Sequence, residues 1–306
     1  MIVAILGAGP AGMSCANACL SFGLSPVVLE RGDHLGGAQR SNFHPNLWML
    51  GFPGESGEAM TQRLAEHYRA LPVLTHYRTQ TSGVARQAAG FSLALAGLDT
   101  PLHANAVVIA TGTRPRGTPE LEKLAAGNRR IIIGPLSHAI RDHIQGANVL
   151  ILGGGDNALD HALFLAERGN HAVVCTRAGL SARRPFIESC LLRREIDLRT
   201  NCPMPRITCD GDQVVARWPG RERGFDWLLV MYGYLPNTDV LEVFDPGIRP
   251  ALTGGGYLHV DAWQRSSVPG IYAAGDVTDT PQPSVPTAMA QGLTAARAVE
   301  RDLAPS

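Results

Sequence analysis

The sequence predicts an α/β protein of two doubly wound units, each a parallel sheet buried between helices. Three observations carry this. A short apolar strand, a glycine-rich turn and a helix follow one another at "MIVAILGAGPAG", and again in mid-chain at "LILGGGDNALDHALFL", Leu150 to Leu165. Apolar strand runs alternate with helical stretches, the pattern of βαβ units whose strands are covered on both faces. A length of 306 residues suffices for two domains, each with its own core.

In chain order, Met1 to Glu30 reads as strand, turn, helix, strand, with "IVAIL" and "SPVVLE" as the apolar runs. Cys15, Cys19 and Phe22 recur at helical spacing, which places both thiols in the packed face of the first helix. Residues 55–71 have the spacing of an amphipathic helix, and 73–103 alternate irregularly, as short antiparallel strands do. "ANAVVIATGTRPR" is a buried strand ending in a loop at Gly112.

From Arg116 the pattern restarts: strand "RRIIIG", helix 135–145, strand "ANVLIL", helix 156–168 and strand "HAVVCTR". Leu159, Ala162, Leu163 and Ala166 form the expected buried face of the second of these helices. Weak hairpin strands turn at "DGD" between Asp197 and Trp218, and "FDWLLVMYG" returns to the sheet. The tail reads as strand "PGIYAAG", a turn at Gly275-Asp276, and a last helix.

Composition narrows the function. The chain is 45% apolar and 18% charged with a formal net charge of zero, which gives no footprint for nucleic acid or an anionic membrane. No apolar run approaches the ~20 residues that span a bilayer. "MIVAIL" runs straight into a glycine turn and reads as a strand, not a leader, so a cytoplasmic setting is expected. Lys123 is the only lysine, which argues against Schiff-base chemistry and a lysine-bearing phosphate loop. The six cysteines form no CxxC and no zinc-like group, and no metal is expected.

In the first motif Gly7, Gly9 and Gly12 give the spacing G-x-G-x-x-G. The first glycine makes the tight turn, the second lets backbone approach a pyrophosphate, and the third lets helix and strand pack closely. Glu30 ends the next strand, placed to accept hydrogen bonds from ribose hydroxyls. Gly153, Gly155 and Ala158 repeat the spacing. The position matching Glu30 is Thr176, beside Arg177, with Arg183 and Arg184 following. An acid there would repel a 2′-phosphate, whereas arginine pairs with it, so NADPH is favoured over NADH. These arginines equally suit a solvated loop.

Taken together, GAGPAG with Glu30, "GGAQ" at 36–39, "FPG" at 52–54, "ATGTRP" at 110–115, "GGGDNALDHAL" at 153–163 and "AAGDVTD" at 273–279 resemble the low-molecular-weight thioredoxin reductase family. The resemblance covers nearly the whole chain. It implies two Rossmann-like domains, the second inserted in the first: residues 1–114 and 237–306 binding FAD, and 115–236 binding NAD(P)H. It also implies a homodimer. On the FAD it places Gly7, Gly9, Pro10, Ala11, Gly12, Glu30, Arg31, Gly37, Gln39, Thr111, Gly112, Gly275, Asp276 and Ala288. Gly37 and Gln39 would lie along the flavin and Asp276 at its ribityl or pyrophosphate part. The helix from Ser284 would point its N-terminus at the pyrimidine end. On the NADPH it places Gly153, Gly155, Asp156, Asn157, Ala158, Thr176, Arg177, Arg183 and Arg184.

The family's CxxC is missing: "LSHA", Leu136 to Ala139, fills its slot. Cys202 and Cys209 flank a short proline-containing segment and lie within reach of each other, far in sequence from any flavin motif. His138, His143 and His161 read as surface or satisfied histidines rather than proton donors. No side chain is assigned as catalytic, since the flavin carries the chemistry. What remains resembles the ferredoxin/flavodoxin–NADP reductases of the same scaffold, whose second motif reads like "GGGDNALDHAL". Two features depart from them: the "NFHPNLWMLGFPGESG" segment, and an end at Ser306 without their C-terminal aromatic extension.

The expectation is an FAD enzyme that takes hydride from NADPH and passes electrons to a ferredoxin or flavodoxin. Oxygen, a quinone or a small disulfide as acceptor, a ferredoxin-fed flavoprotein, and a non-enzymatic FAD sensor stand as alternatives.

Overall fold

Wholly apolar strands can be buried only if both faces of their sheet are covered, and the chain does this twice. The structure is a computed structural model that describes residues 1–46 and 49–304; in the "NFHPNLWMLGFPGESG" segment Leu47 and Trp48 lie outside the described residues, as do Pro305 and Ser306 at the end. The chain divides into two compact units, Met1–Arg114 with Pro236–Ser306, and Pro115–Leu235.

The first unit opens with β1 (Ile2–Leu6), α1 (Pro10–Ser21) and β2 (Ser25–Leu29). Next come α2 (Gly57–Arg69) and β3 (Leu74–His76), then β4 (Thr81–Gln87), β5 (Gly90–Leu95), β6 (Leu102–Ala104) and β7 (Ala106–Ile109). α2 starts where it does because Ser56 caps it, its side chain accepting the Ala59 N–H at 3.1 Å. β8 (Thr113–Pro115) leaves the unit.

The second unit runs α3 (Pro119–Gly127), β9 (Ile131–Ile133), α4 (His138–His143), β10 (Asn148–Leu152), α5 (Asp156–Ala166) and β11 (His171–Cys175). It continues with α6 (Arg184–Leu191), β12 (Ile196–Arg199), β13 (Arg206–Asp210), β14 (Gln213–Trp218), β15 (Arg221–Phe225) and β16 (Trp227–Val230). The return strand β17 (Tyr234–Pro236) pairs with β8, and β18 (Ile271–Ala273) and α7 (Val285–Leu303) complete the first unit.

Each unit holds one five-stranded parallel sheet, β18-β7-β1-β2-β3 in the first and β12-β11-β10-β16-β9 in the second. Each also holds a three-stranded antiparallel sheet, β4-β5-β6 and β13-β14-β15. In the first unit α1 and α7 pack so closely that a Cβ on Gly292 would stand 2.2 Å from the Ala11 carbonyl oxygen. In the second, the antiparallel sheet buries Val214, Ala216, Trp218 and Phe225 against Leu150, Leu152 and Val173.

Several elements differ from the sequence reading. β3 pairs in parallel with β2, as the edge strand of the five-stranded sheet rather than in a hairpin. β12 likewise pairs in parallel with β11, and β15 adds a third strand to the hairpin that turns at "DGD". Helix 135–145 is shortened to α4, and α5 ends at Ala166. On α5 Leu165 is buried where Leu163 was expected and is only half-buried. α3 and α6 were not read from the sequence. α3 begins at a Thr-Pro start, with Thr118 accepting the Leu121 N–H at 3.3 Å.

Candidate functional site

Both glycine turns sit where the strand order of their sheet reverses, at the carboxyl ends of β1 and β7 and of β10 and β16, the place where open α/β sheets bind ligands. The close approach is the same in both. A Cβ on Gly7 would lie 2.5 Å from the Ala110 carbonyl oxygen, and one on Gly153 2.4 Å from that of Met231. The Gly7 N–H donates to Leu29 O at 2.9 Å and the Gly153 N–H to Cys175 O at 3.0 Å, so each turn is stitched to the neighbouring strand.

The middle glycines behave differently. Gly9 and Gly155 cap α1 and α5 in extended backbone, with φ of −74° and −91°. A Cβ on Gly9 would find nothing nearer than Gly37 Cα at 4.0 Å, and one on Gly155 only Ser181 Oγ at 3.7 Å. The chain's own packing has no need of glycine at either place. The smallness leaves an open cradle at a helix N-terminus, the shape and polarity a pyrophosphate fits.

Around the first cradle the structure gathers most of the residues expected on FAD. Glu30 accepts the Ala8 N–H at 2.7 Å and the Gly32 N–H at 2.6 Å, so its carboxylate braces the glycine turn. Gly37 lies against Gly9, and Gly36 N–H donates to Ala8 O at 2.8 Å. Gly275 lies against Ala11 and Ala288, which a Cβ on it would reach at 2.9 and 3.7 Å. Pro10 opens α1 at its first position, where the missing N–H costs nothing, and Gly12 follows in its first turn.

Asp276 is half-buried, burial alone pushes its carboxyl up, and among the described residues no hydrogen bond or ion pair holds it. A buried acceptor of this kind is satisfied by hydroxyl donors. Thr111 and Gly112 are fixed by Asn237: Thr111 Oγ1 donates to Asn237 O at 2.9 Å, Asn237 Nδ2 to Thr111 O at 2.8 Å, and Asn237 N–H to Gly112 O at 2.9 Å. Gln39 accepts from Asn42 at 3.0 Å, and Arg31 is exposed.

In the second unit Gly153, Gly155, Asp156, Asn157, Ala158, Thr176 and Arg177 line one cavity of ≈ 1470 Å³, with α3, Met231 and Tyr232 on its other walls. Two expected residues stand outside that lining. The Arg183 guanidinium Nε donates to Asp156 at 2.7 Å, and the exposed Arg184 donates to Glu188 at 2.7 Å.

All six cysteines are free. Cys15 and Cys19 are buried in α1, and their mutual contact together with burial pushes the Cys15 thiol up. Cys202, expected near Cys209, contacts Cys175 instead, because its N–H pairs with Thr176 O at 3.0 Å. Burial, with that contact, pushes the Cys175 thiol up to about 12. His161 is buried with its two ring nitrogens against Asn157 O at 2.8 Å and Pro135 O at 3.3 Å.

Asn237 and Gln291 were missed by sequence reading. Gln291 accepts the Gly275 N–H at 2.7 Å and so shapes the Gly275-Asp276 turn; its only signal was an amide on an otherwise small and apolar helix face.

The chain matches the family model described as pyridine nucleotide-disulphide oxidoreductase over residues 1–292. Among curated relatives it is 24% identical to a thioredoxin reductase of Peptoclostridium acidaminophilum, covering 98% of this chain and 96% of the relative. It is 25% identical to a ferredoxin–NADP reductase of Lactococcus lactis, covering 90% and 86%. Among solved structures, Lactococcus lactis thioredoxin reductase in its FR conformation superposes with a TM-score of 0.83 at 24% identity, covering 98% of both chains. T. acidophilum thioredoxin reductase gives 0.83 at 25%, covering 98% and 97%. With its paired glycine turns and two parallel sheets, the chain therefore belongs to the pyridine nucleotide-disulphide oxidoreductase family.

Proposed function

We propose that this protein is a two-nucleotide reductase without an internal dithiol: the first unit holds FAD, the second binds NADPH, and electrons leave to a separate redox protein, a ferredoxin or flavodoxin. The observation that carries the reading is the pair of open cradles at Gly9 and Gly155, one in each unit.

FAD, when bound, would accept one hydride, an electron pair with its proton, and pass the two electrons on to an acceptor. The chain's own residues bind and orient. The first-turn amides of α1 face the FAD pyrophosphate, Glu30 holds the turn and accepts from the adenosine ribose, and Asp276 accepts from the ribityl hydroxyls. In the second unit the first-turn amides of α5, at Asp156 and Asn157, face the NADPH pyrophosphate. No thiol relay is available, because "LSHA" fills the CxxC slot and every cysteine but Cys209 is buried.

The test is anaerobic mixing of FAD-loaded protein with NADPH and, separately, NADH, following flavin bleaching. Fast bleaching, faster with NADPH, supports the reading; no bleaching by either nucleotide overturns it. Acceptor screening follows. A ferredoxin or flavodoxin should outpace oxygen, quinones and small disulfides. A disulfide-bearing acceptor is the second reading, favoured by the relatives named thioredoxin reductase. A homodimer is part of the proposal and is read from sedimentation.

A further inference from the structure

Of the three arginines that follow β11, Arg183 and Arg184 are held by carboxylates and stand outside the cavity lining, which leaves only Arg177 to meet a 2′-phosphate. Arg183 is occupied at two points by Asp156, which accepts its backbone N–H at 2.7 Å and its Nε at 2.7 Å. Those bonds fasten the loop after β11 over the glycine turn, where Ser181 and Ala182 also donate their N–H groups to Gly154 O, at 2.8 and 3.1 Å. Arg184 pairs with Glu188 one helical turn on.

Three arginines line the cavity, Arg116, Arg177 and Arg206, and among the described residues no carboxylate pairs with any of them. The acids that share the lining are otherwise engaged: Asp156 with Arg183, Asp212 with Arg130 at 3.8 Å, and Glu120 with the Thr118 side chain. Arg177 directly follows β11, at whose end the ribose of a dinucleotide lies, and Arg206 starts β13 on the lining of the same cavity. Asn201 and Cys202 donate to Ala178 O and Thr176 O at 3.2 and 3.0 Å. From Cys202 to Arg206 is four residues, at most about 14 Å of chain. Midway, Met204 is held by the Tyr232 hydroxyl at 3.4 Å, and Arg177 lies close enough to Tyr232 to act on its hydroxyl electrostatically. Lys123 lines the cavity from α3, and Arg116 from the segment ahead of α3, where its N–H donates to Gly233 O at 2.9 Å.

We propose that Arg177 and Arg206 together read the 2′-phosphate of NADPH, with Arg206, an exposed residue at the start of β13, as the specificity residue outside the arginine run. The proposal rests on the reading of this cavity as the NADPH site. A dianionic phosphate between two guanidinium groups takes paired, charge-assisted hydrogen bonds from each side.

Calorimetric titration of the full-length, FAD-loaded protein with 2′,5′-ADP and with 5′-AMP tests it. Wild type is expected to bind 2′,5′-ADP at least about tenfold more tightly than 5′-AMP. Arg206→Gln and Arg177→Gln should each weaken 2′,5′-ADP about tenfold and leave 5′-AMP within about twofold, while Arg184→Gln should move neither. Melting curves check that each variant is folded, and Arg206→Lys, which keeps the charge but not the fork, should recover part of the loss. If wild type discriminates and Arg206→Gln still does, the Arg206 assignment is overturned and the cavity reading stands. If wild type binds neither probe, both fall; if it binds the two equally, the 2′-phosphate site is overturned.

Discussion

Gly12 lies so close to Gly7 that a Cβ on Gly12 would stand 2.0 Å from the Gly7 carbonyl oxygen. Gly9, midway between them in the motif, has open space around it. The one motif therefore contains two kinds of glycine, and substitution should separate them. Gly12→Ala should destabilise the first unit by about 3 kcal/mol, the cost of forcing atoms into a packed backbone contact. Gly9→Ala and Gly155→Ala should leave the apo melting temperature nearly unchanged while weakening FAD and NADPH respectively. Melting curves with and without each nucleotide read the difference. Gly155→Glu is the variant to use for blocking the second cradle, because at Gly153 a side chain would strike Met231 O before any ligand arrived.

Asp276 gives a prediction whose sign reverses with cofactor. Burial raises its carboxyl above the ordinary value of 3.8, so in the apo protein its ionised form is a liability. The raised folded value means that its contribution is most favourable at low pH and is lost as pH rises through the folded pKa. Asp276→Asn should therefore melt higher than wild type at pH 7 without FAD, with the gap closing below the ordinary carboxylate range. With FAD present the variant should bind more weakly. A melt series from pH 3 to pH 8, with and without FAD, reads both.

α7 is anchored near its end by a shared carboxylate. Arg265 donates to Asp302 at 2.7 and 2.6 Å, and the buried Tyr272 hydroxyl donates to it at 2.8 Å. Arg265 holds the Asp302 carboxyl below its ordinary value, so this contribution is present above the unfolded pKa and lost as pH falls through the folded one. Asp302→Asn should cost about 2 kcal/mol at pH 7 and progressively less in acid. Denaturant midpoints at two pH values check it.

Thiol chemistry distinguishes this chain from a dithiol reductase. Native protein should react quickly with a thiol reagent at Cys209 alone, and Cys209→Ser should abolish the fast phase, since the other five are buried. Anaerobic titration should consume about one equivalent of NADPH per FAD, because no disulfide takes a second pair. A second equivalent would reveal a dithiol.

Much of the site was legible because close backbone approach leaves its mark in sequence. Gly7 and Gly153 have no alternative where a Cβ would strike a carbonyl oxygen, so strand, glycine and helix were read together at both places. β3, with only Leu74–His76, was misassigned because so short and largely unburied a strand has no periodicity, and its partner β2 lies far back in the sequence. Arg183 and Arg184 illustrate another limit. Sequence showed three arginines near one loop, but which guanidinium stays unpaired depends on Asp156 and Glu188. Arg206 lies on β13, beyond the end of that loop, and only the fold puts it on the lining of the same cavity as Arg177.

Lys123 is the only lysine, and it lines the second cavity from α3. Apart from a chain terminus, an amine-reactive dye thus has one place to attach, on the rim of the chamber where NADPH is proposed to bind. A fluorophore carried there would report occupancy of the cavity directly, in the native sequence and without an introduced cysteine.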